Sequence, residues 1–480
     1  MSSTQNKIIK TLLWIVAAMF LLRLVSLGFS PMLDTTEARY SEIGRIMFET
    51  GNWLTPMFDY GVPFWGKPPL SFWATAASFH LFGVNDFAAR FPHLLFMLGT
   101  AVLIYFFVRR WRGKTEAAIA TAVLATLPVF LWLAGGVMTD PALTLVATLS
   151  MISFYNAIQT KNKWQGYLFF IGLGLGLLAK GPLVFVIVGM PIFFFVLLKN
   201  KWKEMWQALP WVGGILLMLA ISAPWYYLAE RATPGFLYYF IVGEHFLRYV
   251  VPGWTGDMYG TAHGGFPGKI WIYWLVSLAP WIAWIAIKMF KKSFRKILFS
   301  REFLRDDFLL FMILNIVATL MFFSFAGNVI QTYVITTLAP SAILIGYLVG
   351  RNGSSAVLFK WFAWLSVVLF SGFIGLSAIY PKWSAAIGRS DRSLAHEFLA
   401  QATDANSPLF YYGRGRTWSS RFYSNGRAIQ AKDASEISAA VKKQGIAFVL
   451  ISRGNEDLKK LAPKIIDVGK KVELVKISKN

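Results

Sequence analysis

Several ionisable residues stand where long apolar runs end and the chain turns. Asp34 follows the first run in PMLDTTEARYSEIGRIM, Lys67 lies in WGKPP, Asp140 in GGVMTDP and Lys180 in LLAKGP, and VGEHFLRY contributes Glu244, His245 and Arg248. A carboxylate can take a proton from a nucleophile or orient it, Lys and Arg neutralise phosphate oxygens, and Trp and Tyr rings stack on sugars. An isolated acid, several cations and many aromatics at one membrane face therefore suggest chemistry on a lipid phosphate that carries a sugar. Each residue also has a plainer reading. Asp34 would be a helix N-cap, with Thr35 or Thr36 sharing that work and Glu37, Arg39, Glu42 and Arg45 forming exposed pairs along the helix. His245 and His263 would be hydrogen-bonded structural histidines. Lys180 would end a helix beside Gly181 and Pro182. Gly172, Gly174 and Gly176 would mark close helix packing, since they lack the flanking strand of a nucleotide-binding loop.

What has to position these residues follows from composition. The 480-residue chain is 56% hydrophobic, 17% aromatic and only 15% charged, which excludes a soluble cytoplasmic enzyme. Its 47 Lys and Arg against 24 Asp and Glu give a formal charge of +23. In a multi-span protein such an excess first reflects cytoplasmic loops, and no nucleic acid partner is expected. With no cysteine there is no disulfide, thiolate metal site or cysteine nucleophile. Ile8 to Phe29 follows Lys7 and Lys10 without a small-residue cleavage pattern and reads as a retained first span.

Runs of roughly 20 apolar residues are needed to cross a bilayer. Eleven candidates lie at about 8–29, 88–108, 115–134, 141–158, 165–178, 182–198, 207–228, 270–287, 308–325, 332–349 and 357–380, with Pro68 to Phe82 as a twelfth or interfacial helix. Lys and Arg cluster in alternate loops, at Arg109 to Lys114, Lys161 and Lys163, Lys199 to Lys203, and Lys288 to Arg305. This bias puts the amino terminus inside and the chemistry-bearing corners outside. Residues 30–87 and 230–269 form two long outer loops.

Residues 381–480 change character, with more charge and no long apolar run, and read as a small soluble α/β domain on the outer side. Ser407 to Tyr412 and Ile446 to Ser452 resemble buried strands, Asp433 to Lys443 has helical spacing stopped by Gly445, and Lys471 to Ile477 alternates like an edge strand. The expected fold is an all-α polytopic membrane domain of about 11–13 spans over 1–380, followed by this domain.

The segments DTTEARYSEIGRIMFETGNWLTP, WGKPPLSFW, MTDP, LLAKGP, EHFLRY and PGWTGDMYGTAH resemble the polyprenyl-phosphate-sugar glycosyltransferases of the GT-C superfamily. The likeness is strongest to the bacterial branch with the lipid A aminoarabinose transferases, which is related to protein O-mannosyltransferases. It covers about residues 1–380 and implies a GT-C fold. By this resemblance Asp34 matches the catalytic aspartate and Asp140 a second acid of the same cavity. Lys67, Arg248, Tyr333 and Lys180 would serve the donor phosphate, supported by Glu37, Arg39 and Tyr40. His245 lies where the family places a histidine able to coordinate a divalent metal. Two departures stand out: Gly66 replaces a glutamate that serves as a metal ligand, and a basic residue upstream of Tyr333 is replaced around Gly327 and Asn328. Lys180 or Lys269 would have to compensate for the second.

The resemblance implies a transferase of the bacterial inner membrane that moves a sugar, with inversion, from undecaprenyl phosphate to lipid A on the periplasmic face. The expected partners are that donor, a glycolipid acceptor and membrane lipids. No nucleotide is required, because the lipid phosphate is itself the leaving group, and no P-loop pattern is present. Transfer to protein or another glycan is the alternative within the enzymes, and a transporter or lipid flippase the alternative outside them. Against transport, the ionisable residues gather at one boundary and the two halves show no repeat.

Overall fold

The computed structural model describes residues 3–260, 266–351, 355–379, 389–402 and, with short interruptions, 404–478. Every one of the eleven apolar runs falls on a helix or on a broken pair. Among the described residues, six helices are long and apolar enough to cross a membrane by length and composition: Gln5–Ser26, Asp86–Arg112, Asp140–Thr160, Trp211–Ala232, Asp307–Ser324 and Gln331–Arg351, the last opening with a tight 3-10 turn. A seventh is the pair Lys269–Ser277 and Trp281–Met289, bent by 97° just before Trp281 at Pro280. The run at 115–134 is split into Lys114–Ala125 and Pro128–Leu133. Pro128 has no N–H to continue the ladder, and Leu127 before it is extended with ψ 118°. The remaining runs fall on Lys163–Lys180, Leu183–Lys199 and Ser355–Ile379. Trp14, Leu21, Val212 and Leu216 point outward from these helices, as side chains solvated by acyl chains would.

The glycine series at 172–176 does what its spacing suggests. A Cβ on Gly172 would stand 2.2 Å from Ser150 Oγ, one on Gly176 2.4 Å from Val184, and one on Gly174 3.0 Å from the Met218 carbonyl oxygen. Helix Lys163–Lys180 thus touches three neighbours at backbone distance, which places its last residue, Lys180, deep in the bundle.

The two outer loops are folded. The first holds the helix Thr36–Thr50, a small antiparallel pair at Met57–Asp59 and Val62–Pro63, and the helix Leu70–Phe82. The second holds a nine-residue π-helical stretch, Tyr239–Leu247. The loops are stitched by Tyr259, whose hydroxyl donates to the Pro63 carbonyl at 2.9 Å and accepts from the Trp65 amide at 3.0 Å.

The carboxyl-terminal part carries a five-stranded sheet in the order Ala428–Gln430, Leu409–Tyr412, Ile446–Ser452, Val472–Ser478, Lys464–Val468. The first three strands are parallel and the last two pairings antiparallel. The strands expected at 407–412 and 446–452 are present, and helix Ala434–Gln444 ends at Gly445 in the left-handed region. Val472–Ser478 is not an edge strand, because it pairs on both sides. Alternation reports unequal burial of a strand's two faces, and it is silent about how many neighbours flank it.

Candidate active site

The turn after the first helix is held by Arg90, a buried residue of Asp86–Arg112. Its guanidinium donates to the carbonyls of Leu27 at 2.7 Å, Ser30 at 2.6 Å and Pro31 at 3.2 Å, and to Glu37 at 2.8 Å. Glu37 also accepts from the Leu33 amide at 3.2 Å. This lattice of bonds fixes the segment that presents Asp34. The expected exposed pairs are instead buried: Glu42 is 0% and Arg45 3% exposed, joined by two bonds of 2.7 and 2.9 Å. Neither threonine caps the helix, since Thr35 occupies the N-cap position without a side-chain bond. Asp34 is not a cap of its own helix either, for its carboxylate turns elsewhere.

One group of charges closes around Glu244 in the π-helical stretch. Lys67 Nζ donates to Glu244 at 2.9 Å, and Arg248, one turn on, donates to both carboxylate oxygens at 3.0 Å and lies 3.3 Å from Asp257. Burial is the largest influence on the Lys67 ammonium and lowers it, but Glu244 and Tyr40 together outweigh it and the net shift is upward. Lys67 and Arg248 in turn pull the Glu244 carboxyl down against its burial. Lys67, Glu244 and Arg248 are thereby held charged.

A second pair lies across from them. Lys180 Nζ donates to Asp140 Oδ1 at 2.7 Å and sits 5.0 Å from the centre of the Tyr333 ring. Both groups border one cavity of about 330 Å³, whose lining includes Thr35, Arg39, Lys67, Asp140, Lys180, Arg248, Tyr333 and Trp418. A smaller adjoining space of about 80 Å³ is lined by Lys67, Lys180, Arg248, Tyr333 and the apolar Leu183, Phe322 and Phe323. Arg39 reaches the carbonyl of Tyr259, and Tyr40 is buried edge-on against Phe64 and Phe72. Lys180 lines both spaces and Lys269 neither. In the larger cavity four cations, Arg39, Lys67, Lys180 and Arg248, face three carboxylates, Asp140, Glu244 and Asp257, leaving one positive charge.

The residues do not fit a metal on His245. Its Nδ1 lies 2.7 Å from the Phe240 carbonyl oxygen and its Nε2 3.1 Å from that of Lys180, so both ring nitrogens face backbone oxygens. Burial holds its imidazole below the usual histidine range. A Cβ at Gly66 would stand 2.9 Å from the Phe64 ring and 3.3 Å from Tyr259, so a glutamate has no room there without displacement. Among the described residues no three His, Cys, Asp or Glu converge. Gly327 is explained similarly: a Cβ would meet the Pro252 nitrogen at 2.9 Å, while Asn328 donates to the Arg248 carbonyl at 2.7 Å and braces that helix end. His263 lies outside the described residues.

The carboxyl-terminal domain docks directly on this site, a contact the sequence reading did not anticipate. Asp34 Oδ1 accepts from the amides of Trp418 at 2.9 Å and Ser419 at 3.0 Å, and Oδ2 accepts from the Ser419 hydroxyl. The Asp34 amide donates to the Arg389 carbonyl at 2.8 Å. Desolvation by burial is the largest influence on this carboxyl and lifts it to about 6, against the Ser419 and Trp418 bonds, which lower it. Arg421, 1% exposed, reaches Asp59 at 2.6 Å and Glu42 at 3.5 Å, and the Tyr423 hydroxyl accepts from the Met32 amide at 2.6 Å.

Residues 8–240 match the family of dolichyl-phosphate-mannose-protein mannosyltransferases. The backbone superimposes on crystal structures of ArnT from Cupriavidus metallidurans over 97% of both chains. The TM-score is 0.74 and the identity 18% for the form bound to undecaprenyl phosphate, and 0.75 and 19% for the apo form. The chain thus has the fold of these two crystal structures, and its first half is similar to the mannosyltransferase family. It is 27% identical over 386 residues to the undecaprenyl phosphate-alpha-4-amino-4-deoxy-L-arabinose arabinosyl transferase of Enterobacter sp. (strain 638), covering 79% of this chain and 66% of that one. It is also 27% identical over 346 residues to the protein of the same name from Erwinia tasmaniensis, covering 70% and 59%. The chain therefore spans less than two thirds of the length of these curated relatives.

Proposed function

We propose that this chain is an integral-membrane glycosyltransferase of the bacterial inner membrane. It moves an amino sugar from undecaprenyl phosphate to a phosphate of lipid A, with inversion. The amino terminus lies in the cytoplasm, and the cavity and the carboxyl-terminal domain face the periplasm. The observation that carries this reading is the single cavity bordered by Thr35 beside Asp34, Lys67, Asp140, Lys180, Arg248 and Tyr333. The four cations that line it, Arg39, Lys67, Lys180 and Arg248, suit a donor that carries a phosphate. The apolar wall at Leu183, Phe322 and Phe323 gives the lipid chain a way in from the bundle.

In the reaction the acceptor oxygen attacks the anomeric carbon opposite the phosphate, and the bond from that carbon to the phosphate oxygen breaks through an oxocarbenium-like state. The bonding electrons leave on undecaprenyl phosphate, whose growing charge Lys67 and Arg248 stabilise. A phosphate monoester monoanion loses its second proton at about pH 6. The Asp34 carboxyl, itself near 6, is matched to take that proton as the acceptor attacks. Aromatic residues at the cavity wall, Tyr333 and Trp418, offer ring faces and edges to the sugar.

Mass spectrometry of lipid A from cells with and without the gene tests this reading. Loss of one pentosamine- or hexosamine-sized substituent supports it. An unchanged profile rejects lipid A as acceptor and transfers the assignment to protein or glycan acceptors.

A further inference from the structure

The carboxyl-terminal domain is separated from the membrane helices by residues 380–388 and has its own sheet and cores. Nevertheless, the side-chain bonds recorded for the Asp34 carboxylate all come from this domain. Two amide donors on Oδ1 and a hydroxyl donor on Oδ2, supplied by consecutive residues, fix both the plane and the rotation of the carboxylate. The donors are themselves anchored. Ser419 is fully buried, and its hydroxyl oxygen accepts from the Asp391 amide at 3.0 Å. Thr417, the preceding cap, bonds the Asp391 carboxylate at 2.6 Å and the Ser420 amide at 3.3 Å. The segment is pinned to the first outer loop by Arg421 and by Arg416, both on Asp59. Trp418 borders the cavity next to Thr35, so the clamp lies at the cavity wall.

We propose that Ser419 is a positioning residue of the active site, and that through it the carboxyl-terminal domain orients Asp34 and favours its charged form. The proposal rests on the reading that Asp34 acts on the acceptor. A carboxylate this desolvated would otherwise drift to the neutral acid and rotate freely, and either change removes a proton acceptor aimed at one point. The charged groups around Asp34 are few. Asp391 approaches from the same domain, Glu37 and Arg39 lie on the helix that Asp34 precedes, Arg90 braces Glu37, and Arg416 and Arg421 engage Asp59 and Glu42. None of them donates to the Asp34 carboxylate, which leaves the Trp418 and Ser419 donors to oppose its burial.

The test is the pH dependence of kcat for the full-length enzyme in detergent, with undecaprenyl phosphate aminoarabinose and lipid A as substrates. Ser419→Ala removes a donor that favours the charged carboxylate, so its acidic limb should move to higher pH by roughly one unit. Ser419→Thr should restore the limb, and Ser420→Ala, which removes a hydroxyl that bonds the Thr417 carbonyl at 2.9 Å and not Asp34, should leave it in place. If Ser419→Ala does not accumulate, Ser419→Cys keeps a weaker donor and should give a smaller shift in the same direction. An unmoved acidic limb in an enzyme inactivated by Asp34→Asn would overturn the proposal. Full activity of Asp34→Asn would instead overturn the reading beneath it.

Discussion

Lys180 and Asp140, forty residues apart in sequence, meet at 2.7 Å at the ends of two helices packed at glycine distance. Read separately, one is a helix-end lysine and the other a helix-start acid. Together they are a buried ion pair on the wall of the cavity.

Removing one member of a buried pair leaves the other uncompensated, at a cost of about 3–5 kcal/mol, whereas removing both costs much less. Lys180→Met and Asp140→Leu should each lower the thermal midpoint in detergent, and the double variant should recover most of the loss. Equal, additive losses would mean that the two residues do not form a unit.

Lys67→Met deletes a cation that, in the proposed reaction, faces the departing phosphate, and it also strands Glu244. Loss of about 3 kcal/mol of transition-state stabilisation is roughly a hundredfold in kcat/KM. Arg248→Lys should also fall well below wild type, because the shorter lysine loses the reach by which Nη1 of the guanidinium meets both Glu244 and Asp257. Steady-state kinetics on the purified variants check both.

Asp34→Asn should accumulate in the membrane normally and transfer no detectable sugar. In the wild type, activity that needs the Asp34 carboxylate should rise with pH through about 6, because protonation below that value removes the base. A rate independent of pH between about 5 and 7 would be incompatible with Asp34 as the proton acceptor.

Chelators should leave the rate unchanged, since His245 and Gly66 supply no metal-binding pair. Gly66→Glu should lower activity with or without added divalent ions, because its side chain must displace Phe64 or Tyr259. Stimulation of Gly66→Glu by a divalent ion would contradict that account.

The division between what could be read along the chain and what could not has a physical basis. Apolar runs fall on helices because a bilayer demands about 20 residues of continuous burial, a requirement written in consecutive positions. The strands Leu409–Tyr412 and Ile446–Ser452 were legible for the same local reason, whereas short Ala428–Gln430 and largely exposed Lys464–Val468 carried no pattern to read. Motif corners likewise marked Asp34, Lys67, Asp140, Lys180 and Arg248, and the structure gathers the last four on one cavity wall with Thr35 next to Asp34. Arg90 went unnoticed because its partners, from Leu27 to Glu37, are distant in sequence.

By itself the sequence determined that the chain is a lipid-solvated helical bundle with a small α/β domain, and that cations and acids collect at the helix ends. Only the tertiary structure decided which charges neutralise which, that His245 is occupied by backbone carbonyls, and that Ser419, 385 residues from Asp34, reaches across a domain boundary to bond it. Hydrophobic length is a local property of the chain. Charge pairing depends on distances of a few ångströms between segments whose approach is set by packing, including at glycines such as Gly172 and Gly176.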